Sequence, residues 1–241
     1  MAMVGVAVLV GVPALAQTAD EVIEKHLAAS GGRAAYAKIM SRVGTGAITV
    51  TTPVGDLSGT IEVYSKKPNK TRTLIKLDLT ALGAGQMTSD QRFDGNTGYV
   101  MDSLQGDRAI EGGQLEAMKN GSFPSPLLSY KEMGTALALG EKQKVGGKDA
   151  YVLTMTPKAG PATKLFIDAD SFMLVRTSVT LNVPQLGGDI EQVVDFSDFR
   201  DVDGIKIPFV TKSSNPAQAV TATISSVKHN VDIDDASFTK P

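Results

Sequence analysis

Hydrophobic and polar residues alternate with a period of two along most of the chain after Ser41. Such alternation is typical of β-strands that bury one face. Turn signals such as Asp94-Gly95-Asn96, Gly146-Gly147 and Asp203-Gly204 separate about eleven segments of this kind, at the spacing expected of a barrel or sandwich. Because no long helix lies between them, the strands are predicted to be antiparallel and the protein to be mainly β.

A helical pattern precedes the strands, in residues 17–41. Thr18 and Glu21 have the spacing of a capping box, and Gly31-Gly32 is a helix stop signal. A second short helix is predicted from Arg33 to Met40, where the apolar residues fall on one side. The sequence therefore predicts two short helices before the first strand.

Residues 111–134 interrupt the strand pattern, and we call this segment the insertion. Leu115 and Met118 fall on one short helical turn, and Ser125 followed by Pro126 is typical of the start of a second helix. Its apolar residues, among them Leu127 and Leu128, are expected to pack over another apolar surface of the protein. The insertion is therefore either a mobile lid or an ordinary core helix, and the pattern alone leaves both open.

The first sixteen residues carry no charged side chain and form an apolar run that ends in Ala14-Leu15-Ala16. This pattern is typical of a secretory signal peptide, although no Lys or Arg precedes the run. The run is shorter than the roughly 20 apolar residues of a membrane-spanning helix. We therefore expect residues 1–16 to be removed, and residues 17–241 to form one soluble domain in the periplasm or outside the cell; a buried N-terminal strand is the alternative.

The composition excludes several classes of function. With 24 Lys and Arg against 26 Asp and Glu, the formal net charge is -2, which argues against nucleic-acid binding. The chain has no Cys, so disulfides, thiolate nucleophiles and Cys-ligated metals are excluded. These counts favour an ordinary globular protein without a cofactor.

Catalytic and metal-binding motifs are also missing from the sequence. His26 and His229 belong neither to a G-x-S-x-G nor to an H-E-x-x-H motif. The acidic residues near Asp201 lack the glutamate that closes a calcium loop, so a hairpin turn is the better interpretation. We therefore predict no catalytic residue and no metal ligand.

Three segments resemble a known family. HLAASGGRAAYAKIMS (26–41), DFRDVDGIKIPF (198–209) and DIDDASFTKP (232–241) resemble the opening, a late hairpin and the closing tail of outer-membrane lipoprotein-sorting proteins, the LolA-like group. The resemblance implies a strongly curved antiparallel sheet, an open half-barrel, covered by helices. It also implies a cavity that carries lipoprotein acyl chains, with transfer partners in the inner and outer membranes.

Aliphatic side chains and Met dominate the predicted inward face. Such a lining suits acyl chains, because burial of each methylene is worth about 0.8 kcal/mol without a fixed polar geometry. The candidate ligand-binding residues are Ile75, Leu77, Leu115, Met118, Leu127, Leu128, Leu153, Met155, Val175, Val179 and Phe196. Arg176 is the candidate for contact with a lipid head group. An ordinary closed core is the alternative interpretation for these apolar residues, and a solvent-exposed strand face for Arg176.

The sequence thus predicts a monomeric carrier of a lipid or of lipoprotein acyl chains. Two other functions stay open. The curved sheet could recognise a protein partner through its edge strands, as an interaction or sensor module. A small enzyme acting on a hydrophobic substrate would instead need an acidic side chain inside the cavity.

Overall fold

The structure is a computed structural model that describes residues 17–53, 55–183, 188–216 and 218–241. The predicted signal peptide, residues 1–16, lies outside the described residues. Among the described residues, no helix has the length and the apolar character that crossing a membrane requires.

In the described part of the chain, fourteen antiparallel strands form one large sheet that does not close. The strands are β1 (Ser41–Thr52), β2 (Gly55–Lys66), β3 (Lys70–Asp78), β4 (Gln86–Phe93), β5 (Gly98–Asp102), β6 (Arg108–Ile110), β7 (Ala136–Leu139), β8 (Gln143–Val145), β9 (Lys148–Thr156), β10 (Thr163–Asp168), β11 (Leu174–Val183), β12 (Gly188–Val202), β13 (Ile205–Ser214) and β14 (Ala219–His229). Their spatial order is β6-β5-β4-β3-β2-β1-β14-β13-β12-β11-β10-β9-β7, and β8 pairs with β9.

The predicted fold class, an open antiparallel sheet with a few helices, is confirmed. The predicted number of about eleven strands is too low, because the described sheet has fourteen. Strands β6, β7 and β8 have only three or four residues each. So short a strand allows one or two alternations, which is too few for a periodic pattern.

Three helices lie among the described residues: α1 (Ala19–Ala29), α2 (Arg33–Ala37) and α3 (Gly112–Lys119). The predicted capping box is present, since the Glu21 amide donates to Thr18 Oγ1 and the Thr18 amide donates to a Glu21 carboxylate oxygen. In the insertion, the predicted second helix is only a 3-10 helix of three residues (Pro126–Leu128), although the Ser125 hydroxyl accepts from the Leu127 amide as the predicted cap.

The helices cover one face of the sheet, which we call the helix-covered face. Val22, Ile23 and Leu27 of α1 are buried in a cluster with side chains of β9, β10 and β13. A second cluster lies on β1, β2, β3 and β14. Both clusters contact Ile224, so they belong to the same face.

Gly31 fixes the end of α1 against the β12–β13 turn. Its φ is +133°, and a Cβ atom at this position would lie 2.3 Å from the Gly204 carbonyl oxygen. The adjacent Ser30 carbonyl accepts from the Lys206 amide at 2.9 Å. Only glycine permits this close contact between backbones.

Replacement of Gly31 by alanine is therefore expected to lower the free energy of unfolding by about 2–3 kcal/mol. Gly32→Ala is the matched control: Gly32 also has a positive φ, but no atom lies within 4 Å of its added Cβ. We expect the control to cost less, from backbone strain without the clash, since its φ of +84° and ψ of 152° are also a conformation that only glycine adopts readily. Urea unfolding of the two variants tests this, and equal losses would contradict the packing argument.

Candidate functional site

A cavity of about 480 Å³ lies between the helices and the helix-covered face. This volume is within the range of about 300–1,000 Å³ that is usual for small-molecule sites. Its apolar lining comes mainly from β9 to β13 and consists of Met155, Leu165, Leu174, Val179, Leu181, Phe196, Phe199, Ile205 and Ile207. Such a lining can hold a flexible hydrocarbon chain by dispersion and by exclusion of water.

The insertion and the β9–β10 loop form another wall of the cavity. Pro124, Ser125, Pro126 and Leu127 of the insertion line it, together with Gln114 and Ala117 of α3. Pro157 and Pro161 of the loop also take part. Gln114 and Ala117 are exposed, whereas His26, Ser30 and Tyr36 on the α1–α2 side of the cavity are buried. The cavity is therefore more accessible beside α3 than beside α1.

Hydrogen bonds attach the insertion to two separate parts of the sheet. On the β2–β3 turn, the Asn69 side-chain amide donates to the Met118 carbonyl at 2.9 Å, and the Phe123 amide donates to the Pro68 carbonyl at 2.8 Å. On the β9–β10 loop, the Asn120 side-chain amide donates to the Ala159 carbonyl at 2.7 Å. The insertion thus spans the helix-covered face between these two loops.

The C-terminal half of the insertion is attached to α1. The Tyr130 hydroxyl donates to Asp20 Oδ1 at 2.5 Å, and Lys131 Nζ lies 2.5 Å from Asp20 Oδ2. Hydrogen bonds from Lys131 and Tyr130 hold the pKa of the Asp20 carboxyl below its ordinary value. This end also packs against α1 through the buried side chains of Leu127 and Tyr130, whereas the α3 end is held mainly by the loop contacts.

Polar side chains form one end of the cavity. The His26 ring is buried, and its Nδ1 donates to the Phe172 carbonyl at 2.9 Å. The Tyr36 hydroxyl donates to Ser30 Oγ at 3.0 Å, and Ser30 Oγ donates to the His26 carbonyl. Arg42, at the start of β1, completes this end.

Four of the predicted ligand-binding residues line the cavity: Leu127, Met155, Val179 and Phe196. Leu153 is fully buried in the core cluster around α1, and Leu128 packs against that cluster. Ile75 and Leu77 belong to the second cluster, away from the cavity lining. Leu115 and Met118 are half-buried on α3, but Gln114 and Ala117 are the α3 residues that line the cavity.

Val175 and Arg176 lie outside the cavity lining because a β-bulge changes the alternation of β11. Phe166 pairs with Arg176, whereas the next residue, Ile167, pairs with Leu174, so Val175 is an extra residue. Val175 consequently packs against Ala150, Val152 and Phe166 on the opposite face. The Arg176 guanidinium forms an ion pair with Asp195 at 2.6 Å and does not line the cavity.

Sequence reasoning missed the polar end of the cavity and part of its apolar wall. Leu174 and Thr177 share the cavity side only because of the bulge, and the pattern contained no sign of it. Ser30, Tyr36 and Arg42 come from three different elements. Their proximity depends on tertiary packing, so no local motif could have indicated it.

The titratable side chains that line the cavity are His26, Tyr36, Arg42 and Lys206. Among the described residues of the lining there is no Asp or Glu. His26 is held by a backbone carbonyl, and burial lowers its pKa from the ordinary value. In the described part of the chain, no group of three or more His, Asp or Glu side chains is placed to hold a metal ion.

Solved structures with the same architecture identify the fold. A LolA superfamily protein from Nitrosomonas europaea superposes with a TM-score of 0.59 at 15% identity, over 93% of this chain and 99% of that protein. The chain has the LolA-like fold. A DUF1329 family protein from Desulfovibrio piger gives a TM-score of 0.58 at 16% identity, over 93% and 98% of the two chains.

A third structure with the LolA-like fold is an outer membrane lipoprotein-sorting protein domain from Vibrio parahaemolyticus. It gives a TM-score of 0.56 at 11% identity, over 91% of this chain and 95% of that one. No protein-family model matches the chain, and no curated protein matches it. The structural comparisons confirm the predicted LolA-like architecture, and at these identities they show the fold alone.

Proposed function

We propose that the protein is a periplasmic carrier that binds the acyl chains of a lipoprotein, or a related lipid, in this cavity and transfers them between membranes of the cell envelope. The observation that supports this most is the apolar cavity of about 480 Å³ beneath the insertion. The LolA-like fold adds support, because one structure that shares it is described as a lipoprotein-sorting domain.

Binding in this cavity would be driven by the hydrophobic effect. Each methylene that leaves water for the apolar wall contributes about 0.8 kcal/mol. Aliphatic side chains and Met impose no directional contact, so chains of different lengths could be accommodated. A carrier must also release its cargo, and a hydrophobic site allows transfer to any partner that buries more of the chain.

The insertion would control entry to the cavity. Its α3 end covers the accessible side and is held to the β2–β3 turn and the β9–β10 loop by a few hydrogen bonds at partly exposed positions. Hydrogen bonds of this kind are each worth only about 1 kcal/mol. Displacement of α3 would therefore expose the apolar wall at a modest cost in free energy, and its return would bury the chain.

Native mass spectrometry of the protein purified from a bacterial envelope tests the proposal. We expect a co-purifying lipid, and we expect the lipid-free protein to bind the fluorescent fatty acid cis-parinaric acid. Absence of both would overturn the proposal. Recovery of one stoichiometric protein partner without lipid would favour the interaction or sensor function instead.

A substitution that fills the cavity should weaken binding. Thr177 lines the cavity, whereas Thr180, on the same strand, is exposed on the opposite face. Thr177→Phe is expected to raise the Kd for cis-parinaric acid about tenfold, equal to the loss of about two buried methylenes. Thr180→Phe, the matched control, should leave the Kd unchanged. Equal affinities in both variants would place the fatty acid elsewhere.

A further inference from the structure

Two cations line the cavity among the described residues, and one of them, Lys206, is exposed. The other, Arg42, lies on β1 at the polar end of the cavity and is half-buried. Its Cζ atom lies 5.3 Å from the centre of the Phe123 ring. Within the described residues, the only hydrogen bond of its side chain runs from Nε to His229 Nε2 at 3.1 Å, and no carboxylate forms an ion pair with it.

The contact with His229 does not neutralise this charge. Because His229 Nε2 accepts a hydrogen bond from Arg42, the proton of the neutral ring is on Nδ1, which donates to Asp203 Oδ2 at 3.0 Å. The His229 side chain is 1% exposed, and burial lowers its pKa from the ordinary value. The Asp203 carboxylate is therefore separated from the guanidinium by an uncharged imidazole ring.

Most other arginines of the chain have a carboxylate as an ion-pair partner. Five of them form ion pairs with a carboxylate at 2.6–2.9 Å: Arg33, Arg72, Arg92, Arg176 and Arg200. Transfer of a charge into a protein interior without a partner is costly. Consistent with this cost, burial lowers the pKa of the Arg42 guanidinium from its ordinary value.

The terminal nitrogens of Arg42 are thus free donors beside an apolar cavity. His26, Ser30 and Tyr36 already direct hydrogen bonds to one another or to backbone carbonyls. A guanidinium with two free nitrogens matches the paired oxygens of a carboxylate or a phosphate. A hydrocarbon chain attached to such a group could lie along Met155, Val179 and Phe196.

We propose that Arg42 binds the anionic head group, a carboxylate or a phosphate, of the lipid whose chain occupies the cavity. This inference rests on the proposed function and chooses between its two cargoes: it favours the related lipid, an anionic amphiphile, over the neutral acyl groups of a lipoprotein. The head group lies at the polar end of the cavity, and the chain follows the apolar wall.

Binding of cis-parinaric acid and of its methyl ester tests this proposal, because the two probes differ only in the charge of the head group. We expect the native protein to bind the acid about 10- to 100-fold more tightly than the ester, the range for a charge-assisted hydrogen bond. Arg42→Met should abolish this preference by weakening binding of the acid alone, and Arg42→Lys should retain part of it. Arg176→Met, which alters an arginine outside the cavity, should retain all of it.

Three results separate the two proposals. If the native protein binds neither probe, the carrier function itself fails. If it binds both probes equally, or if Arg42→Met keeps the preference for the acid, the carrier function stands and the role of Arg42 is overturned. Displacement of the probe by palmitate or lysophosphatidic acid, but not by monopalmitoylglycerol, would support the role and identify the preferred anion.

A measurement on the native protein avoids any folding defect of the Arg42 variants. The ¹³C chemical shift of carboxyl-labelled palmitate reports the ionisation of the bound head group as the pH is changed. Contact with a guanidinium should lower the pKa of the bound carboxyl below that of a carboxylic acid in water. A raised pKa would indicate an apolar environment without a cation and would overturn the proposal.

Discussion

Replacement of Asp90 by leucine is expected to lower the free energy of unfolding by about 3 kcal/mol. The Asp90 side chain is 10% exposed and pairs with Arg72 at 2.7 Å and Arg92 at 2.9 Å. Residues Arg72 and Arg92 are direct cross-strand neighbours, so the carboxylate separates two like charges on β3 and β4. Its removal leaves both guanidinium groups mostly buried without their ion-pair partner, which is more damaging than the loss of one hydrogen bond.

Asp195→Leu provides a matched control for this prediction. Asp195 is also a strand residue paired with an arginine, Arg176, but its side chain is 36% exposed. Exposed pairs contribute between 0 and about 1 kcal/mol, so this loss should be much smaller. Urea unfolding at neutral pH gives both values. Similar losses would contradict the view that burial determines the effect.

The dependence of stability on pH gives an independent test of the Asp90 cluster. Burial raises the pKa of the Asp90 carboxyl, but hydrogen bonds from Arg72 and Arg92 outweigh burial, and the pKa lies below its ordinary value. A carboxyl with a lowered pKa in the folded state stabilises the protein above its unfolded pKa of about 3.9. The contribution is lost as the pH falls through the folded pKa. The difference in the free energy of unfolding between the native protein and the Asp90→Leu variant should therefore be constant near neutral pH and become smaller below about pH 4.

Much of the fold could be predicted from patterns within short stretches of the sequence. The alternation of Ile75 and Leu77 with polar residues predicted β3 and placed both side chains in an apolar cluster. Thr18, Glu21 and Gly31 predicted the beginning and end of α1, because caps and positive φ values depend on a few adjacent residues. These features depend on the immediate sequence, which explains why they could be predicted from it.

Features that depend on pairing between distant strands could not be predicted. The β-bulge places Leu174, and not Val175, on the cavity side of β11, and the alternation of polar and apolar residues in the sequence does not indicate where a bulge interrupts it. Strand register likewise places Arg42 beside His229, 187 positions later in the chain. The apolar character of the site was therefore predictable, whereas its polar end was not.

A disulfide between the insertion and the β9–β10 loop tests whether the insertion must move for a ligand to enter the cavity. Glu116 on α3 faces Gly160 of the β9–β10 loop, where an added Cβ atom would lie 3.2 Å from Glu116 Cβ. Disulfide-linked residues have Cβ atoms about 3.5–4.5 Å apart, so a small displacement would allow the bond. The natural chain has no Cys, so Glu116→Cys with Gly160→Cys would form a single defined cross-link.

Oxidation of this double variant is expected to slow both association and dissociation of cis-parinaric acid by about tenfold or more, because α3 could no longer move away from the accessible side of the cavity. Stopped-flow fluorescence measures both rates, and addition of a reductant should restore them. The reduced double variant is the control for strain at position 160, where φ is +90°. The single variant Glu116→Cys under the same oxidant is the control for oxidation itself.

The two rates together distinguish a closed entrance from a damaged site. A cross-link that only blocks movement of the insertion raises the barrier for entry and exit equally, so the Kd should stay within about twofold of its reduced value. A cross-link that distorts the apolar wall would instead raise the Kd through faster dissociation. Unchanged rates after complete oxidation would show that the ligand does not pass beneath α3, and the insertion would then be a fixed part of the core.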